Sequence, residues 1–217
     1  MAVGERPGRR TQRERRDQTG SALLAAAAEL VVESGVRAVT LARVGERAGY
    51  SRGIVTHHFG SKRALIDALA RATQSGFVPG LADRGPGLER LLMLVRGYVG
   101  ALGELGTLNR AFLLLWAEAV TAPELSEVFR ERDESFRADL RSDVAAGIEE
   151  GAVRPGTDPD AVAVAVLGQL RGIALQVLLD RDAVDTGRLG PVVAEQWRRA
   201  LSSGGPGPGP GPASGLQ

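Results

Sequence analysis

The stretch TLARVGERAGYSRGIVTHHF, from Thr40 to Phe59, decides how the rest of this chain is read. Its spacing predicts helix, turn, helix. Thr40 is placed to cap a first helix by accepting a hydrogen bond from an orphaned backbone N–H, and Leu41, Val44 and Ala48 recur at the interval of one buried stripe. Gly49 ends that helix, because a glycine just past the last periodic residue supplies a left-handed backbone, and Ser51 follows as a second cap. The second helix is short. Ile54 and Val55 are its expected apolar contribution, which leaves Ser51, Arg52, Gly53, Thr56 and His57 as small or hydrogen-bonding positions near its N-terminus.

Such an arrangement suits DNA, since the second helix of a helix-turn-helix enters the major groove and reads base edges with its first residues. Gly53 has no side chain to hold the backbone away. Arg52 carries the fork that fits guanine O6 and N7, while Thr56 and His57 are expected to reach phosphates or a thymine methyl. The following helix begins SKRAL, with Ser61 as its cap and Lys62 and Arg63 in its first turn. Cations there oppose the helix dipole, so a nearby phosphate gives them a reason. The competing expectation is a three-helix core with no DNA role.

The words AGYSRGIVTHHFGSKRAL at Ala48–Leu65 and AAAELVVESG at Ala26–Gly35 together resemble the tetracycline-repressor (TetR) family of bacterial transcription regulators. The resemblance implies that Arg52, Thr56 and His57 read or position on DNA, beside Ser51 and Gly53, and that Thr40, Arg43 and Lys62 hold the backbone. Thr56 departs from the family, which usually has a tyrosine there reaching the DNA backbone; threonine keeps the hydroxyl and loses the reach. The family further implies dimerisation through the last two helices, a pocket for a small-molecule effector among the middle ones, and repression as the usual outcome.

The chain's 217 residues and 22.8 kDa are enough for one or two domains with a substantial core. No cysteine is present, which excludes disulfides, thiolate metal sites and cysteine nucleophiles. There is no signal-peptide pattern and no run approaching about 18 apolar residues without a polar break, so no membrane role and a cytoplasmic location are expected. The net charge of +1 conceals an uneven distribution. Residues 1–63 carry +6 and the remainder −5, a basic part directed at phosphates and an acidic part that avoids the duplex.

In chain order, residues 1–16 hold Arg6, Arg9, Arg10, Arg13, Arg15 and Arg16 without apolar periodicity, and are expected to form a disordered basic arm. Such an arm either lies along phosphates or in the minor groove, or is a solvated tail that raises nonspecific affinity. A helix-turn-helix domain over residues 17–76 follows, its first helix beginning near Thr19 or Ser21 and burying Leu24, Ala27, Ala28 and Val31, and its fourth running from Ser61 to about Ser75. GFVPGLADRGPG then breaks the chain. Residues 80–202 stay helical in pattern, so the fold class is all-α. The sixth helix, around Leu108 to Ala119, is apolar on several faces and is expected to be buried on most sides, and a seventh carries Leu125, Phe129, Phe136, Leu140, Val144 and Ile148. Asp158 and Pro159 open an eighth helix, AVAVAVLGQLRGIALQVLLD, which is apolar almost all round. Gly168 and Gly172 would let another helix approach closely, so the expected homodimer forms through residues 158–201, the alternative being a central core helix of a monomer. Residues 203–217 read as a disordered Gly/Pro tail.

WAEAVTAPEL at Trp116–Leu125 and EEGAVRPGTDPDAVA at Glu149–Ala163 also resemble the C-terminal domain of the betaine-type branch of the family. Polar residues interrupting apolar helices are the candidate effector contacts: Tyr98, Asn109, Trp116, Glu118, Gln169 and Arg171. Arg171 needs a partner if buried, and Glu118 is one candidate. The two histidines, His57 and His58, are adjacent and so point about 100° apart on a helix, a poor metal pair, and no Glu-x-x-His pattern is present. No enzyme activity, cofactor or metal is expected. Double-stranded DNA and a small-molecule effector are the expected partners, and a sequence-nonspecific architectural DNA binder is the alternative.

Overall fold

The computed structural model describes residues 12–72 and 78–203. Nine α-helices account for most of them: α1 Gln12–Ser34, α2 Leu41–Ala48, α3 Arg52–Phe59, α4 Lys62–Ala72, α5 Leu88–Ala101, α6 Thr107–Glu118, α7 Pro123–Glu149, α8 Pro159–Leu179 and α9 Thr186–Leu201. No strand occurs among the described residues; Val153 and Ser202 form an isolated bridge. The parts of the expected basic arm before residue 12 and of the tail after residue 203, with residues 73–75 of the expected fourth helix, lie outside the described residues.

The helices group into two compact units. The first holds α1–α4, α6 and Pro123–Phe129 of α7; the second holds α5, the remainder of α7, α8 and α9. This differs from the division expected at residues 76–80, because α6 packs against α1 and α4. Its buried residues are Ala111, Phe112, Leu113 and Leu115, with the Phe112 ring 5.5 Å from that of Phe129. Leu108 is exposed and Leu114 and Trp116 are half-buried, so α6 has one buried side where burial on most sides was expected.

Helix α1 begins at Gln12, well before Thr19, so residues 12–16 of the expected arm are helical. The hydroxyls of Thr19 and Ser21 donate to the carbonyls of Arg15 and Asp17, one turn back, which lets both sit inside a helix where a cap was expected. Gly20 is likewise interior: a methyl carbon there would stand 2.6 Å from His58 Nε2. The apolar stripe centres on Leu23, Ala27, Leu30 and Val31, with Leu24 at its edge.

In the second unit α5 lies along α9. Gly190 allows the approach, since a methyl carbon there would stand 2.9 Å from the Arg96 carbonyl. Arg198 of α9 holds Glu89 of α5 with bonds of 2.6 and 3.1 Å. Asp143 of α7, almost wholly buried, accepts from Arg90 at 2.7 Å and from Gly87 N at 3.2 Å, joining α7 to the start of α5. Burial pushes the Asp143 carboxyl up despite these donors. Asp158 caps α8 as expected, accepting from Asp160 N and Ala161 N. By length and composition α8 is apolar enough to cross a membrane, although Gln169 and Arg171 break its apolar run; 44% of its most apolar window is buried within the protein.

Candidate nucleic-acid interface and effector region

Helix α2 is built as its sequence demands. Thr40 Oγ1 accepts from Arg43 N at 3.2 Å, and Gly49 ends the helix in the left-handed region at φ 75°. Tyr50 N donates to Gly45 O at 2.7 Å, which brings the chain so close that a methyl carbon on Gly45 would stand 2.7 Å from Tyr50 O. The turn thus depends on Gly45 for its close approach as well as on Gly49 for its left-handed backbone. Ser51 then caps α3, accepting from Ile54 N at 3.4 Å, and Val55 is fully buried as the helix's anchor.

Ser51, Arg52, Gly53, Ile54, Thr56 and His57 are all exposed. Ile54 corrects the expectation that it is core: it is 42% exposed on the same short helix. Neighbours on a helix point about 100° apart, so Ile54 and Val55 cannot share one anchor, and the four-residue step from Val55 to Phe59 carried that signal. At Gly53 a methyl carbon would meet only Ser51 Oγ, at 3.6 Å, an ordinary contact; nothing inside the chain requires the missing side chain. Thr56 Oγ1 donates to Arg52 O at 3.0 Å, so its proton is turned to its own helix.

The flanking cations are held by carbonyls and carboxylates. Arg43 Nη1 donates to Ala38 O at 3.0 Å, and Lys62 Nζ to Val36 O at 3.3 Å and Arg37 O at 3.5 Å. Both are exposed. Arg63 pairs with Glu127 at 3.2 Å. Arg47 forks onto Glu33 at 2.7 and 2.8 Å and reaches Glu29 at 3.1 Å, tying α2 to α1; its hydrogen bonds hold the Glu33 carboxyl below its usual range. His58 faces inward beside Gly20, its ring 4.6 Å from that of Phe59, and burial first and the Arg16 charge second push its imidazole down.

Of the six candidate effector residues the structure joins two directly. Arg171, 7% exposed, donates to Tyr98 Oη at 3.0 Å and to Asp133 at 3.4 Å. Burial pushes the Tyr98 phenol up. Asp133 and Tyr98 therefore replace Glu118 as the partners of Arg171; Glu118 belongs to the first unit and lies 3.7 Å from Arg37. Gln169 accepts from Trp197 Nε1 at 2.7 Å, joining α8 to α9. Asn109 and Trp116, both half-buried, are in the first unit with Glu118. Asp133 was overlooked in the sequence, although it interrupts the stripe of α7 four residues after Phe129 and three before Phe136. Among the described residues no three His, Cys, Asp or Glu side chains are grouped to hold a metal ion.

Residues 23–69 match the family described as bacterial regulatory proteins, tetR family, and residues 87–202 match the BetI-type transcriptional repressor, C-terminal, family. The HTH-type transcriptional regulator BetI of Stenotrophomonas maltophilia (strain R551-3) is 30% identical over 123 residues, covering 54% of this chain and 63% of that protein. BetI of Escherichia coli (strain K12 / DH10B) is 29% identical over 109 residues, 48% of this chain and 56% of its own. The chain thus spans less than two thirds of these curated relatives. Two solved structures share the fold: GusR of Salmonella enterica, with a TM-score of 0.71 at 22% identity over 85% of this chain and 95% of that one, and a transcriptional regulator from Saccharomonospora viridis in complex with choline, with a TM-score of 0.71 at 19% identity over 86% and 98%. With one family matching its N-terminal helices and the other more than half its length, the chain belongs to the TetR family of bacterial transcriptional regulators and carries a BetI-type C-terminal domain.

Proposed function

We propose that this protein is a dimeric repressor that binds a palindromic operator in the cytoplasm and is released from it by a small-molecule effector. One observation carries the DNA reading: α3 buries Val55, half-buries His58 and Phe59, and turns the whole of its capped first turn, Ser51 to Ile54, outward with His57 one turn on. In this reading Arg52 takes a guanine, Gly53 admits the groove wall, and Thr40, Arg43, Thr56 and Lys62 position the backbone. Thr56 must turn its proton away from Arg52 O to serve a phosphate. No enzymatic step, cofactor or membrane association is part of this function.

Dimerisation is supported by an outward stripe on α8, Ala161, Val164, Ala165, Gly168, Leu175 and Leu179, and by the exposed Val192 on α9. Val164 is 59% and Leu179 91% exposed, and no atom lies within 4 Å of the place a side chain would take at Gly168 or Gly172. Two copies joined there hold two recognition helices, which fit half-sites about 34–36 Å apart. The Tyr98–Asp133–Arg171 cluster, buried at Tyr98 and Arg171 and half-buried at Asp133, is the group of the second unit best suited to register an effector. The choline in the Saccharomonospora viridis complex makes a quaternary ammonium compound the first effector to try.

Selection from a random duplex library at physiological salt tests the operator and dimer parts of this reading. An enriched imperfect palindrome with half-sites about one helical turn apart supports it. Strong, salt-sensitive binding without enrichment would identify an architectural DNA binder.

A further inference from the structure

Within the first unit, a cavity of about 390 Å³ lies between the start of α4, the turn at residues 36–38, and the junction of α6 with α7. Its volume falls in the range of small-molecule sites. The floor is apolar: Ile66 and Leu125 are 2% and 4% exposed, and Ala122 and Val36 are half-buried. The rim is cationic, with Arg37, Lys62 and Arg63 against one carboxylate, Glu118.

These cations differ in how firmly they are engaged. Arg63 is held by Glu127 at 3.2 Å. Arg37 meets Glu118 only at 3.7 Å with its side chain 94% exposed, a pairing that water and salt weaken readily. The Lys62 ammonium has three protons and makes two long bonds, of 3.3 and 3.5 Å, to carbonyls. It also stands in the first turn of α4, where the helix dipole favours an anion. An apolar floor beneath two loosely held cations fits a molecule with an apolar body and a single carboxylate.

We propose that this cavity binds a small amphipathic monocarboxylate, its body on Ile66, Ala122 and Leu125 and its carboxylate on Arg37 and Lys62 in place of Glu118. Resting on the reading that Lys62 serves the DNA backbone, the occupant competes with a phosphate for the same ammonium, so the acid and DNA exclude one another. The site differs from the Tyr98–Asp133–Arg171 cluster, which belongs to the other unit.

Lys62 is the chain's one lysine, so protein labelled with isotope in lysine alone reports on it without ambiguity. The full chain is titrated with sodium octanoate, and with 1-octanol as the neutral control. The expected result is a saturable shift of the lysine signal by octanoate at least ten-fold tighter than any by octanol. Arg37→Gln weakens it several-fold with an unchanged melting temperature, and Ala122→Phe, which fills the floor, does the same. Saturating octanoate lowers affinity for a DNA duplex in the parent chain and not in Ala122→Phe. Equal binding of acid and alcohol, an unmoved lysine signal, or an octanoate effect on DNA that survives Ala122→Phe would each overturn the proposal. A chain that binds no duplex without octanoate fails the DNA reading itself, and the lysine titration then still decides the site.

Discussion

At Gly45 a methyl carbon would stand 2.7 Å from the Tyr50 carbonyl and 3.1 Å from a Val55 methyl, and the carbonyl is backbone that cannot swing aside. Gly45→Ala should therefore destabilise the protein by about 1–3 kcal/mol, read as a lowered denaturation midpoint, and weaken DNA binding with it. Ile54 predicts the opposite combination. At 42% exposure it contributes little to folding, so Ile54→Ser should change stability by less than about 0.5 kcal/mol while weakening any preference for thymine beside the Arg52 contact, which repeating the duplex selection would show. His58 gives a pH dependence. Its folded pKa lies below the ordinary value of 6.5, so the unfolded chain binds the extra proton more readily, and stability is full above that value and lost as pH falls through the folded one. The urea midpoint should accordingly drop between about pH 7 and pH 5, and His58→Gln should reduce that drop.

Among the elements, α8 faces two ways. Its inner face carries Arg171, 7% exposed and the one strongly buried arginine among the described residues, tied to Tyr98 and to Asp133 on α7. Arg171→Ala should cost about 3 kcal/mol by chemical denaturation, because it removes a buried guanidinium from both Tyr98 and Asp133, while the double change Arg171→Met with Asp133→Leu should cost less than the single one. An effector that responds to this cluster loses its influence on DNA binding in both. Periodicity made each helix legible, because an apolar stripe every three or four residues is a property of the chain itself. The start of α1 was not: Thr19, Gly20 and Ser21 look like a helix boundary, and only the hydroxyl bonds to Arg15 O and Asp17 O and the packing of His58 on Gly20 explain why the helix runs through them.

For the whole molecule, the proposed dimer rests on the outer face of α8. Gly168→Arg introduces a side chain into open space in the single chain and removes a helix-interior glycine, so the monomer should fold at least as well, gaining up to about 1 kcal/mol. Sedimentation should then show monomer where the parent gives dimer, with operator affinity falling although α3 is untouched. A dimer that persists would place the contact elsewhere.

The sequence by itself determined the all-helical class, the capped helix-turn-helix from Thr40 to Phe59 and the outward placing of Arg52, Thr56 and His57, because caps, turn glycines and helical period act over a few residues. Tertiary structure alone decided that α6 joins α1 and α4, and that Arg171 meets Tyr98 and Asp133 where Glu118 was one candidate. Those outcomes depend on which apolar faces meet across long stretches of chain, and on which carboxylate the packed helices bring within reach of a buried charge. Local spacing does not encode them.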